Sequence, residues 1–311
     1  MNKNILITGI SGFVGHNLVE YFSSSKDYTL YGLDIVSPEM DGVANIFSWD
    51  DLDSIRDMDV VIHLAGKAHD LKKTSNDQAY YDINYGLTQK IFDWYVQSTA
   101  CKFFFMSSVK GVADQVKGVL SEEDAACPVT AYGKSKLMAE DYINSLELPA
   151  DKSAYIFRPC MIHGPGNKGN LNLLYQLVSK GIPWPLGAFE NQRSFLSIEN
   201  LCFVYRELIE HDISGGTYQI ADDVSISTNE LIQIISEGIG RRAKIWNLSA
   251  SFIRACAKLG SMIHLPLTEE RLQKLTENYV VSNKKIKGVI KKEFPISTRE
   301  GLLETIQSFK K

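Results

Sequence analysis

Near its start the chain reads NILITGISGFVGHNLVEYF, with Gly9, Gly12 and Gly15 three apart between a strand-forming run and a run of helical periodicity. No other feature of the sequence narrows the possible folds as far. A strand that passes through such a turn directly into a helix opens a β-α-β unit around a parallel sheet. Glycine tolerates positive φ and lets the backbone come close to a pyrophosphate, while the N–H groups and dipole of the following helix offset its charge. Ser11, Phe13 and Val14 complete the turn. Asp34 closes the next strand-like run, YGLD, 19 residues beyond Gly15. A carboxylate there accepts hydrogen bonds from an adenosine ribose and repels a phosphate on it. The expectation is a dinucleotide site that takes NAD(H) in preference to NADP(H).

The same rhythm continues to about residue 160. NILIT, TLYGLD, DVVIHLAG, KFFFMSS and SAYIFRP are strand-like, and residues 13–22, 80–97 and 132–146 have helical length and periodicity. Alternation of this kind predicts an α/β fold with a doubly wound parallel sheet. Beyond residue 160 glycine and proline become frequent, and further helical stretches and a lysine-rich tail follow. We expect residues 1–160 to form the cofactor domain, with later segments returning to it, and residues 161–311 mainly a smaller α/β substrate lobe. No repeat or flexible linker separates them, so a shared cleft is expected.

Composition limits the partners. The 311 residues carry a formal charge of -4, so no basic field draws the chain to nucleic acid or anionic lipid. The five cysteines are scattered without a C-x-x-C pair, which speaks against zinc and disulfides and for a reducing, cytoplasmic setting. The opening lacks a signal-peptide pattern, and nothing reaches the ~18 apolar residues of a membrane span. Residues 246–265 have apolar positions at helical spacing with Arg254 and Lys258, which permits a membrane-surface helix, although core packing is the ordinary use of such a pattern.

Tyr132 and Lys136, in AYGKSK, stand four apart and so project from one helix face. An ammonium beside a phenol favours the phenolate, which makes tyrosine a usable acid and base. Ser107 and Ser108 end FFFMSS at the carboxyl edge of the expected sheet, where ligands of such folds bind. Ser108 is the hydroxyl placed to steady a substrate oxygen that gains charge. A lone Y-x-x-x-K is usually structural; its position after a glycine turn and a strand-end serine makes it a catalytic candidate.

With these residues in place, the chain strongly resembles the extended short-chain dehydrogenase/reductases, the NAD-dependent nucleotide-sugar epimerases, dehydratases, decarboxylases and ketoreductases. TGISGFVG is similar to their TGxxGFxG, and Ser108, Tyr132 and Lys136 match their catalytic set. The resemblance implies a Rossmann-type fold and a soluble, cytoplasmic homodimer pairing through helices 80–97 and 132–146, without nucleic acid, membrane or metal. It implies cofactor contacts from Asp50, from Leu64, Ala65 and Gly66 in HLAG, from the helix asparagine Asn84, and from Ser107, Tyr132, Lys136 and Pro159. For the substrate it implies Lys67, Lys110, Met161, Asn170 and Arg193, the last in RSFLSIEN as a pyrophosphate contact. The terminal stretch looks like the family's helix pair that completes the sugar-nucleotide lobe.

Two departures bear on the chemistry. Val109 and Lys110 follow Ser108 where the 4,6-dehydratases carry an Asp-Glu pair, which disfavours dehydration. Met161 stands where many relatives have an asparagine. His69 and Lys110, in HLAGKAHD and SSVKG, look more like the polysaccharide-pathway 4-ketosugar reductases. His69 and His163 read by themselves as ordinary loop histidines. The expected activity is epimerisation of a UDP-hexose or UDP-N-acetylhexosamine through transient oxidation at carbon 4, with Tyr132 as acid and base. Reduction of a nucleotide 4-ketosugar is the alternative. A non-catalytic NAD-binding sensor or RNA-associated protein is the reading from another class, with the lysine pairs at 284–285 and 291–292 as its patch.

Overall fold

The computed structural model describes residues 2–67, 76–167, 169–263 and 268–310, without the side chains of residues 170, 262 and 263. The strands are β1 (Lys3–Thr8), β2 (Tyr28–Leu33), β3 (Val43–Phe47), β4 (Val60–His63), β5 (Lys102–Met106), β6 (Val119–Leu120), β7 (Ser153–Pro159), β8 (Met161–His163), β9 (Phe195–Ser197), β10 (Gly216–Ile220) and β11 (Val280–Val281). The helices are α1 (Phe13–Ser23), α2 (Gln78–Tyr80), α3 (Leu87–Gln97), α4 (Ala131–Ser145), α5 (Asn170–Ser179), α6 (Ile198–Glu210), α7 (Thr228–Gly238), α8 (Ala250–Ile263), α9 (Glu269–Thr276), α10 (Lys284–Ile290) and α11 (Thr298–Ser308). A π-helical segment, Tyr81–Gly86, joins α2 to α3.

Seven strands form one parallel sheet in the order β10-β7-β5-β4-β1-β2-β3. The order reverses where β1 lies between β2 and β4, and that switch point is where doubly wound sheets bind ligands. Both faces are covered, so the strands are apolar on both sides. Ile5, Ile7, Phe104 and Phe157 pack on one face against Leu18 of α1 and Tyr205 of α6. Their alternates Leu6, Phe103, Phe105 and Ile156 pack on the other face against Phe92 of α3 and Ile143 of α4. The period-2 alternation of a pleated strand is the cause.

A third cluster gathers Trp184, Phe195, Ile226, Ile232 and Ile235 with Leu302 and Ile306 of α11. From the terminal stretch, Leu272 of α9 and Leu302 and Ile306 of α11 join this cluster, whereas Ile286 and Ile290 of α10 join the sheet-side cluster. Within the lysine pairs, Lys285 Nζ donates to the Thr217 carbonyl and lies over the Tyr218 ring, and Lys292 pairs with the buried Glu207. Strands β3 and β10 carried no recognised signal. α8 has two characters, with Ile253 and Ala257 buried in the third cluster and Phe252 and Leu259 exposed.

Candidate active site

The glycine turn sits at the carboxyl end of β1. Gly9 has φ of +68°, and a methyl group there would lie 2.7 Å from the Ala65 nitrogen, so the turn and the HLAG loop after β4 approach as closely as backbone allows. A methyl group on Gly15 would lie 2.3 Å from the Ile10 carbonyl oxygen, which fixes how α1 leaves the turn. Gly12 precedes the first residue of α1, and Phe13 and Val14 form the first turn of that helix. Its N–H groups face outward as a pyrophosphate cradle requires. At the end of β2, the buried Asp34 accepts from the Ser11 N–H at 3.0 Å and its hydroxyl at 2.8 Å. The acidic residue thus also fastens the turn that it was expected to accompany. Asp50 is exposed in a short 3-10 helix after β3.

Behind the HLAG loop runs a buried chain of hydrogen bonds. The Thr88 hydroxyl donates to the Asn84 carbonyl at 2.6 Å, so it receives the His63 Nε2–H at 3.0 Å. His63 Nδ1 then accepts from the Thr8 hydroxyl at 2.7 Å, and Thr8 Oγ1 accepts the Ala65 N–H at 3.1 Å. The ring is neutral in this arrangement, and burial holds its pKa down at about 3. Between pH 6.5 and 3 the unfolded chain binds a proton that the folded chain refuses, so stability is lost as pH falls through that window. Urea unfolding at a series of pH values should show His63→Gln with a shallower acid limb, by up to ~1.4 kcal/mol per pH unit. An identical slope in both proteins would remove this account.

Asn84 lies on the π-helical segment, a geometry frequent at functional sites. Its side chain is fully buried: Oδ1 accepts the Lys67 N–H at 2.7 Å, and Nδ2 donates to Ser135 Oγ at 3.0 Å and to the Lys67 carbonyl at 3.2 Å. Asn84 thus clamps the HLAG loop to α4. A methyl group on Gly66 would lie 3.0 Å from Asn84 Oδ1 and 3.2 Å from Lys136 Nζ, which puts Lys136 beside that loop. Lys67 extends its ammonium over the Tyr80 ring at 5.7 Å.

Ser108 caps a 3-10 turn, Val109–Gly111, by accepting the Lys110 N–H at 3.2 Å, and its hydroxyl lies near enough to the Tyr132 phenol to favour the phenolate. The Thr130 hydroxyl caps α4 through the Gly133 N–H at 3.1 Å, and a methyl group on Gly133 would lie 2.3 Å from the Lys110 carbonyl oxygen. That close approach seats the helix against the serine turn. Lys136 is buried, donates to the Met106 carbonyl at 2.8 Å and lies 4.9 Å from the Phe105 ring centroid. Burial lowers its pKa to about 8, against the opposing pull of Glu140. Burial raises the Tyr132 phenol, and the nearby Ser108 hydroxyl opposes this. Tyr80 stacks edge-on against the Tyr132 ring at 6.1 Å.

The Ser107 hydroxyl donates to Glu140, and Glu140 is paired with Arg158 through Nε at 2.9 Å and through Nη2. All three are buried. Sequence reasoning missed Glu140 and its partner, although Glu140 follows Lys136 by one helical turn. The Thr8–His63–Thr88 chain was missed as well, for want of any local signal.

On the substrate side, Lys110 Nζ donates to the Asp114 carbonyl at 2.8 Å and lies 4.2 Å from the Tyr279 ring centroid. Burial lowers its pKa, and Glu277 opposes this. The Arg193 guanidinium donates to the Lys274 carbonyl at 2.8 Å and sits 3.8 Å from Glu277, with its backbone bridged to Tyr279. Lys110 and Arg193 are thus brought to one wall. Met161 instead packs against the third cluster, and the buried Pro159 ends β7 opposite Ile220. Asn170 opens α5, and its side chain, like His69, lies outside the described residues. His163 is a buried strand residue, not a loop residue, and donates through Nδ1 to Thr305 at 2.9 Å.

A glycine cradle at a sheet switch point, with a hydroxyl, a phenol and an ammonium beside it, defines an α/β enzyme that works with a bound dinucleotide. The chain belongs to the NAD dependent epimerase/dehydratase family, whose model matches residues 5–221. It is 30% identical over 327 residues to a UDP-glucose 4-epimerase of Vibrio cholerae, a match covering 99% of this chain and 96% of the relative. It is 27% identical over 250 residues to an N-acetyl-alpha-D-glucosaminyl-diphospho-ditrans,octacis-undecaprenol 4-epimerase of Escherichia coli O157:H7, covering 78% and 74%. A solved structure of MoeE5 in complex with UDP-glucuronic acid and NAD has the same fold, with a TM-score of 0.77 and 20% identity over 99% of both chains. The chain is accordingly an NAD-dependent enzyme of the nucleotide-sugar epimerase and reductase group.

Proposed function

We propose that the chain is a nucleotide-sugar 4-epimerase acting on a UDP-hexose or UDP-N-acetylhexosamine. The observation that carries the reading is the close packing of the start of α4 on the Ser108 turn, which sets Tyr132 beside Ser108, one helical turn from a buried Lys136 that borders the HLAG loop. Bound NAD supplies a hydride acceptor that later acts as the donor. Tyr132 takes the proton of the carbon 4 hydroxyl as the hydride leaves carbon 4, and the 4-ketose turns its other face before proton and hydride return. Ser108 donates to the oxygen in the ketose and releases it afterwards. Lys136, with Asn84 and Gly66 beside it, holds the cofactor ribose, and Gly9, Gly12, Gly15 and Ser11 hold the pyrophosphate. Lys110 and Arg193 face the substrate diphosphate. The two relatives named above support a diphosphate-linked hexose as the common element of the substrate.

Lys110 in the position of a dehydratase acid, with Met161 withdrawn into packing, favours the second reading, a 4-ketosugar reductase. Incubating the purified enzyme with UDP-sugars, with and without added NADH, separates the two. Epimerisation proceeds on endogenous or catalytic NAD, and a requirement for one NADH per turnover would replace it with reduction. The same reading carries a homodimer through α3 and α4, where Met138 and Leu146 are exposed at the outer surface.

A further inference from the structure

We propose that the surface built by residues 241–259 docks on an anionic lipid bilayer, counter to the expectation that the chain has no membrane partner. Between Glu237 and Glu269 there is no acidic residue, whereas Arg241, Arg242, Lys244, Arg254 and Lys258 fall in that interval of a chain with net charge -4. All five are exposed, and among the described residues none of them forms an ion pair. Arg241 and Lys244 donate to the Ser179 and Gly181 carbonyls and Arg254 lies over the Phe189 ring, but no carboxylate neutralises them, and cations gathered so on one stretch of an acidic protein mark a site for an anionic partner.

Apolar side chains stand among them. Lys244 and Trp246 bracket Ile245, which packs inward, and the pairing of Lys244 and Trp246 with Trp184 holds this segment extended, so both flanking side chains face out. Trp246 is 54% exposed. On α8, Ile253, Ala257 and Gly260 are buried, while Phe252 at 58% exposure and Leu259 at 53% lie seven residues apart on one face. Arg254 and Lys258 lie about 100–160° round the helix from that face, both on the same side of it. A tryptophan, a phenylalanine and a leucine alongside basic residues are the composition of a surface that docks at a bilayer interface.

A cavity of about 340 Å³ adds a seat for a headgroup. Arg241, Arg242 and Lys244 line it together with Ile182, and no carboxylate lies among its lining residues. A second copy of this chain fits the surface poorly, because a two-fold pairing would bring five cations against five. A nucleic acid would satisfy the charges and leave the apolar side chains without a partner. A bilayer satisfies both. The proposal does not depend on the catalytic assignment.

The test uses the full chain with vesicles of phosphatidylcholine alone and of phosphatidylglycerol mixed with phosphatidylcholine. Co-sedimentation with the mixed vesicles only, with a blue shift of tryptophan emission that Trp246→Phe abolishes, is the expected result. Arg254→Gln/Lys258→Gln should bind about 25-fold more weakly, from the roughly fivefold that each basic side chain contributes at an anionic surface. Phe252→Ser/Leu259→Ser should bind at least about tenfold more weakly, since each loses several buried CH₂ groups. Circular dichroism melts establish that both variants are folded, and as their replaced side chains are exposed, unchanged midpoints are expected. Absence of binding to mixed vesicles overturns the proposal. So does wild-type binding by the Phe252/Leu259 variant, which would mean charge adsorption only, and so does a dimer that these substitutions dissociate.

Discussion

On the proposed function, Tyr132→Phe should lower kcat by about 10²- to 10⁴-fold, far more than it weakens NAD binding. The substitution removes one oxygen, and the ring keeps its edge contact with Tyr80 and its place at the start of α4. What would disappear is the group proposed to take and return the carbon 4 proton. Ser108→Ala has a smaller effect, because it removes a donor to that oxygen and leaves the phenol in place. Steady-state kinetics on a UDP-hexose, with NAD binding followed separately, distinguishes loss of chemistry from loss of cofactor. A variant that keeps most of its turnover would transfer the acid and base role to another residue.

Arg158→Met destabilises the protein by about 3–5 kcal/mol, read as a fall in Tm or in the urea midpoint. The carboxylate of Glu140 is buried under α4 and accepts from Arg158 and from Ser107. Without the guanidinium, that charge has only a hydroxyl for company. The double variant Glu140→Leu/Arg158→Leu removes both charges and recovers most of the loss, apart from the ~1 kcal/mol for an unsatisfied Ser107 hydroxyl. Equal losses in the single and double variants would show that the pair acts through packing and not through charge. Because Ser107 precedes Ser108, the single variant should also lower kcat more than it raises KM, and a structural role alone would not produce that split.

Much of the arrangement was legible in the chain because local signals coincided with global ones. The glycine turn lay between a strand and a helix as its spacing required, and five of the seven sheet strands announced themselves as apolar runs with both faces buried. That Ser108, Tyr132 and Lys136 lie near one another was legible because helix spacing and strand ends carry positional information. Strand β3, VANIF, was hidden by its partly exposed edge position, and β10, GTYQI, by its glycine and polar alternation after a long excursion. The bracing partners of Asn84 and Ser107 were not legible, because a polar side chain in a motif can face a ligand, brace the protein or do both, and its partners lie far along the chain. Glu140 shows the converse: an acidic residue on a helix is usually a solvated one, and the buried guanidinium that reverses this comes from a strand 18 residues away.

The sheet is closed on one side by β10, which arrives only after residue 215 and pairs with β7 along its whole length. A growing polypeptide that has left the ribosome up to α6 therefore has β7 as a bare margin, with main-chain donors and acceptors unmet. Until those last five residues emerge, any extended segment of another nascent chain can take their place. Synthesis of this protein accordingly passes through an interval of aggregation risk that ends when β10 is added.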